Sequence, residues 1–254
     1  MHHEFGRLTR RELQALDDPL VIVPLGATEQ HGDQLAVGAD AVIVTAIAGA
    51  VADRLGTSAE VVVTPTIPIG ISGHHLPFGG TLTFSAEVYA GMLHDLVIGL
   101  RRQALRRTLL LNGHGGNDAA MRTAVERLAL VEEPGGTTAG LSYWDAVPAE
   151  TAAALPAPVP GHAGRFETSL LKALRPDLVR DPGGDADTGP RPLAHEIPGL
   201  RADRTRDWRS SDGVTDGAGA ATAEFGRTAL AGIVAEITAR VGEYFAIPAG
   251  GGER

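Results

Sequence analysis

The run Leu20-Val21-Ile22-Val23-Pro24-Leu25 has no polar side chain and stops at Gly26. A strand with one face in water alternates apolar and polar residues. An unbroken run must be covered on both faces, as a strand inside a parallel sheet is. Three further short strands are expected at residues 60–64, 108–111 and 137–143. Segments of helical length lie between them. One covers 41–55, with Asp40 before it as an N-cap. A second covers 85–105, where Val88, Met92, Leu96 and Leu100 recur every four residues. A third follows Asn117, which caps it, and turns Ala120, Met121, Ala124 and Leu128 inward. Strands alternating with helices of this length specify an α/β fold, a three-layer α/β/α sandwich with a mainly parallel sheet.

Beyond Trp144 the pattern loosens. Residues 146–161 read as an Ala- and Pro-rich loop with a helical turn, and 167–174 as a short helix. Residues 180–215 are dense in Gly, Pro, Asp and Arg; a loop that long is expected to be functional or to touch a partner. Residues 221–245 form a closing helix with Phe225, Ile233, Ile237, Val241 and Phe245 on one side, and 250–254 a frayed tail. A chain of 254 residues can bury one core, so a single domain over 1–254 is expected.

Charge and composition narrow the function. The net charge of −9 speaks against a nucleic-acid partner, which needs a basic face. Arg101, Arg102, Arg106 and Arg107 read as a solvated helix end that complements the dipole. The start of the chain is polar, and no apolar run reaches the roughly 18 residues a spanning helix needs. A cytoplasmic protein with no membrane association is expected. There is no cysteine, so any metal must be held by His, Asp or Glu.

Those residue types gather after the strands. Glu29 and His31 follow the first strand two residues apart, a spacing that points side chains the same way on extended backbone. Asp40 comes nine residues after His31, and His114 sits among glycines after a later strand. Carboxylates and imidazoles are the donors that zinc, manganese and iron(II) favour. Each residue alone has a plainer reading. His31 can be a hydrogen-bonded loop residue, Asp40 a helix cap, and Gly113-His114-Gly115-Gly116 a phosphate cradle, although no P-loop lysine follows. Likewise His162 can be a surface histidine and Glu167 a carboxylate that complements a helix dipole. Of the adjacent His74 and His75, at most one is expected to face a shared site. Trp144, just past a strand, lines the pocket or forms its rim. His2, His3, His94 and His195 read as surface residues.

Taken together, the motifs resemble the creatininase family of metal-dependent amide hydrolases. The matching stretches are Pro24-Leu25-Gly26-Ala27-Thr28-Glu29-Gln30-His31-Gly32 with Gly38-Ala39-Asp40, then Ser72-Gly73-His74-His75 with Gly79-Gly80-Thr81-Leu82. Asn112-Gly113-His114-Gly115-Gly116-Asn117, His162-Ala163-Gly164 with Glu167-Thr168-Ser169, and Asp212-Gly213-Val214-Thr215 follow in the family's order. The resemblance implies a homohexamer with two divalent metal ions per chain, zinc first, manganese or iron otherwise. It places Glu29 and His114 on one metal and His31 on the other, with Asp40 bridging. Glu167 falls near the second metal and His162 at a proton-transfer position. A metal-activated water would attack a lactam, a formamide or a short peptide amide; processing of the mycofactocin precursor and deformylation of pterin or flavin precursors are uses known in the family.

The sequence departs from the family at four places. Creatininase carries a glutamate where this chain has Gly116, so the second metal lacks that ligand. Asp33-Gln34-Leu35 replaces a common Pro-His-Leu, and His74-His75 a common Glu-His. Arg165 stands where Glu is frequent; it would recognise an anionic substrate group or point outward. His75, Trp144 and Arg165 are therefore the expected substrate contacts, and His162 and Glu167 the expected catalytic residues. A degenerate second site would make the chain a non-catalytic metal- or ligand-binding subunit, the alternative reading.

Overall fold

The computed structural model describes residues 2–180 and 213–246. His195, most of the expected 180–215 loop and the 250–254 tail lie outside the described residues. The elements in chain order are β1 (His3–Glu4), α1 (Arg10–Ala15), β2 (Leu20–Leu25), α2 (Ala39–Leu55), β3 (Val61–Val63) and α3 (Ala86–Arg101). Then come β4 (Arg107–Asn112), α4 (Asp118–Ala129), β5 (Thr137–Ser142), α5 (Ala149–Ala153), α6 (Arg165–Leu174) and α7 (Ala223–Ala246). The strands form one sheet in the order β1-β3-β2-β4-β5, and every pairing is parallel.

The unbroken run has the environment its composition requires. All six residues of β2 are buried. Leu20 and Ile22 point into a core shared with α2, α6 and α7, while Val21, Val23 and Leu25 point into one shared with α3 and α4. β4 splits likewise, Leu109 and Leu111 to the first core and Leu110 to the second. This is the three-layer α/β sandwich. No helix among the described residues is long and apolar enough to cross a membrane.

The structure refines the reading of one helix and corrects three local expectations. In α3 the four-residue stripe does not mark the buried face: Val88 is 56% exposed, whereas Tyr89, Leu93 and Val97 are fully buried. A strict four-residue step advances about 40° per turn on a helix of 3.6 residues per turn. The stripe therefore starts in solvent at Val88, packs part-buried against the core at Met92 and Leu96, and is fully inside it at Leu100. Asp40 is not a cap; α2 starts at Ala39 and Gly38 holds the capping position. Asn117 makes no side-chain cap bond to α4. Its Oδ1 accepts the Ile71 N–H at 3.0 Å and its Nδ2 donates to the Gly26 carbonyl at 3.1 Å, tying together two loops at the sheet edge. Arg101 is not solvated. It is 2% exposed and donates to the Leu128 carbonyl and the Thr138 hydroxyl, which holds the turn before β5 against the end of α3.

Candidate metal centre

The sheet reverses its winding between β2 and β4, because the chain passes from β2 outward to β3 and then returns to the far side of β2. Loops leaving the carboxyl ends of such neighbours diverge and leave a crevice. The segment after β2 carries Glu29 and His31 into it, and the segment after β4 carries His114. Backbone bonds hold both: Gly113 N–H donates to the Leu25 carbonyl at 2.8 Å, and Gly26 N–H to that of Ile67 at 2.9 Å. Asn112 pins His114 further, since its Oδ1 accepts the His114 N–H and its Nδ2 donates to the His114 carbonyl.

Seven residues singled out in the sequence, or lying beside one that was, are brought together here and buried: Glu29, Gln30, His31, Asp40, His75, His114 and His162. Glu167, from the first turn of α6, completes the group and is also buried. His31 Nε2 lies 3.1 Å from Asp40 Oδ1 and 3.9 Å from Glu167 Oε2. His114 Nδ1 lies 3.2 Å from Asp40 Oδ2 and 3.3 Å from Glu29 Oε1. His75 Nε2 and His162 Nδ1 face the same Glu29 oxygen at 3.4 Å and 3.5 Å. Asp40 therefore stands between the two halves of the cluster.

Hydrogen bonding orients the rings. His31 Nδ1 donates to the Glu29 backbone carbonyl at 3.0 Å, which turns Nε2 inward. His114 Nε2 donates to the Ile71 carbonyl at 3.0 Å, which turns Nδ1 inward. A ring nitrogen tied to a carbonyl with the other aimed at a shared point is how metal-ligating histidines are held. Glu29 Oε2 is buried and has no hydrogen-bond partner among the described residues. An unpaired buried carboxylate oxygen is costly unless a cation meets it. Three sets of ligand atoms each converge within 4.8 Å: Glu29, His31 and Asp40; His31, His162 and Glu167; and Glu29, His75 and His162. The donors present fit divalent metal.

Without metal, protons balance the charges. Burial opposes a charge on His31, yet Asp40, Glu167 and Glu29 outweigh it and push its pKa up to about 10. His114 is likewise raised well above its ordinary value, against burial, by Glu29 and Asp40. Burial, only partly offset by His31, pushes Glu167 up to about 8. Burial and then the charge of His31 take His162 down to about 3. Burial and then His162 take His75 down to about 2. Both therefore rest neutral.

The family model for creatininase, creatinine amidohydrolase, matches residues 6–241. The chain belongs to the creatininase family. A mycofactocin precursor peptide peptidase of Mycobacterium ulcerans is 34% identical over 97% of this chain and 94% of its own length. The creatinine amidohydrolase of Pseudomonas putida is 33% identical over 68% of this chain and 72% of its own. A solved structure titled "Creatininase Mn" superposes with a TM-score of 0.74 at 29% identity, over 96% of this chain and 99% of that one. Members of the family are metal-dependent amide hydrolases, and this chain is an enzyme of that class.

Within that family the site has its own features. The position of the creatininase glutamate is closed here: a Cβ on Gly116 would overlap the Ile71 carbonyl oxygen and come 2.6 Å from His114 Nε2. That carbonyl is the acceptor that orients His114, so backbone occupies the space a side chain would need. Arg165 makes contacts outside the cluster. Its guanidinium donates to the Ala154 carbonyl at 3.2 Å and sits over the Phe225 ring at 5.4 Å. Trp144 packs edge-on against Tyr143 at 5.4 Å and against the core. His75, by contrast, is fully buried within the cluster. Sequence reading passed over Gln30, Ser72 and Asn112. Ser72 Oγ lies 3.2 Å from His114 Nε2. All three sit inside quoted motifs, and position within those motifs was the available signal.

Metal binding should expel protons, because the cations replace them. At pH 7 His31, with a pKa near 10, and Glu167, near 8, both hold a proton in the metal-free protein. Ligation by these two residues would need both deprotonated, so apparent metal affinity should rise with pH from neutrality up toward those values. Calorimetric titration of Mn²⁺ at pH 7, in two buffers of different ionisation enthalpy, should show more than one proton released per chain. No release would contradict the arrangement.

Proposed function

We propose that this enzyme hydrolyses the C–N bond of a lactam, a formamide or a short peptide amide at a centre of two divalent ions, with zinc favoured over manganese and iron. Glu29 and His114 would hold one ion, His31 and Glu167 the other, and Asp40 would bridge them. The observation that carries the reading is the buried convergence of three carboxylates and inward-facing imidazoles around Asp40, with Glu29 Oε2 unpaired. Glu167 Oε2, 3.9 Å from His31 Nε2, supplies on this side a carboxylate that position 116 cannot. That supports a complete second position over the alternative of a non-catalytic binding subunit.

When bound, the ions would polarise the amide carbonyl and lower the pKa of a water from about 15.7 toward 7. The chain's own residues would move the proton. His162 Nε2 donates to the Gln30 backbone carbonyl at 2.8 Å, so the lone pair of the neutral ring is on Nδ1, the nitrogen that faces the cluster. His162 would take a proton from the attacking water at Nδ1 and return it to the leaving nitrogen. Ala163 N–H donates to Glu167 Oε2 at 2.6 Å and fixes that carboxylate beside the His162 backbone.

The peptidase name of one relative and the cyclic-amide name of another support a small amide substrate without choosing its shape. The exposed apolar residues Leu76, Leu82, Phe84 and Val88 support contact with a partner, and the hexamer is what the family resemblance implies. The cytoplasm is the compartment we infer. To test the reading, the metal-free enzyme would be assayed on cyclic amides, formylated amines and short peptides, with and without added Zn²⁺, Mn²⁺ or Fe²⁺. Metal-stimulated C–N hydrolysis in one class is expected; stoichiometric metal binding without hydrolysis in any of them would favour the binding-subunit alternative.

A further inference from the structure

Gln30 lies between two proposed ligands but points its own side chain elsewhere. A buried primary amide has two N–H groups and one oxygen to place. Here Oε1 accepts the Gly32 backbone N–H at 2.9 Å, and Nε2 donates to the Gly213 backbone carbonyl at 2.7 Å. A backbone N–H only donates and a backbone carbonyl only accepts, so these contacts decide which end of the amide is nitrogen. The second amide hydrogen goes to His75 Nδ1, 2.8 Å away. His162 Nε2, 3.2 Å from the same nitrogen, does not compete, because it carries its own hydrogen toward the Gln30 carbonyl.

It follows that Nδ1 of His75 holds a lone pair. The proton of its neutral ring is then on Nε2, which faces Glu29 Oε1 at 3.4 Å. The anchor of this chain is built for close approach. Gly213 has φ +76, and a Cβ there would sit 2.6 Å from Gln30 Nε2. The same loop holds His162, whose N–H donates to Thr215 Oγ1 at 2.6 Å.

We propose that Gln30 is a positioning residue of the metal centre: its side-chain amide holds His75 as the Nε2–H tautomer, so that the ring presents an N–H, not a lone pair, to the Glu29 carboxylate 3.4 Å away. The proposal rests on the metal-centre reading only for the purpose of directing Glu29. The tautomer itself is a property of the metal-free protein. An N–H that faces a ligating carboxylate helps to orient it.

The test is the long-range ¹H–¹⁵N correlation spectrum of metal-free protein labelled at histidine, with His75 assigned by its loss in His75→Gln. The wild type should show His75 protonated at Nε2. Gln30→Glu puts an acceptor where the donor was and should move that proton to Nδ1. Gln30→Leu should weaken Mn²⁺ binding, followed by the signal of free Mn²⁺, about 10–100-fold. An Nδ1–H pattern at His75 in the wild type would overturn the proposal whether or not the Gln30 variants fold. So would an unchanged Nε2–H pattern in folded Gln30→Glu, or unchanged Mn²⁺ affinity in Gln30→Leu. The expected tautomer in a protein that takes up no Mn²⁺ would uphold the Gln30–His75 bond and sink the metal-centre reading instead.

Discussion

Asp40→Ala is expected to lower amide hydrolysis by about a thousandfold or more and to release bound metal, with the fold retained. A metal centre supplies several kcal/mol of transition-state stabilisation, and each 1.36 kcal/mol is about tenfold in rate. Asp40 touches both halves of the cluster, with one oxygen 3.1 Å from His31 and the other 3.2 Å from His114. Its removal should therefore loosen both ions rather than one. Because Asp40 does not cap α2, no capping energy is lost with it. Nor does the variant strand two buried cations. The raised pKa values of His31 and His114 depend in part on Asp40, so both rings can give up protons when it goes. Circular dichroism and a rate assay on the same preparation would check both halves of this expectation; full activity would remove Asp40 from the centre.

His162→Ala is expected to lose about 10²–10⁴-fold in turnover while keeping its metal. The loss should shrink for substrates whose leaving nitrogen needs no proton. A ligand role predicts the opposite: metal falls and the leaving group makes no difference. Both roles have geometric support, because His162 belongs to two of the three converging ligand sets. Metal content and a leaving-group series measured on one variant separate them. Equal losses across the series with metal retained would leave His162 as a residue that only positions substrate.

The sheet was legible because its evidence is local. An unbroken apolar run such as Leu20–Leu25 has few structural solutions, and residues placed just after a strand are carried to the carboxyl edge whatever follows. That is why Glu29, His31 and His114 meet. Asp40 was legible as a candidate only through its motif; as a residue at a helix start it read equally well as a cap. What escaped depends on contacts between distant segments. The burial of Arg101 needs the Leu128 carbonyl and Thr138 opposite it. The closure of position 116 comes from the Ile71 carbonyl, 45 residues earlier in the sequence. Gln30 looked like a spacer between two ligands; its bonds to His75 and Gly213 span 45 and 183 residues. Arg165 was read from its place in a motif as a substrate contact or an outward-pointing residue; its contact with the Phe225 ring, on another helix, is not written in that motif.

In the proposed centre Asp40 would join two metal positions, one with Glu29 and His114 and the other with His31 and Glu167. Inductively coupled plasma mass spectrometry on wild type and Asp40→Ala, saturated with Mn²⁺ and desalted side by side, tests it most directly. Two equivalents per chain are expected in the wild type and neither retained in the variant. Equal metal content in the two proteins would contradict it.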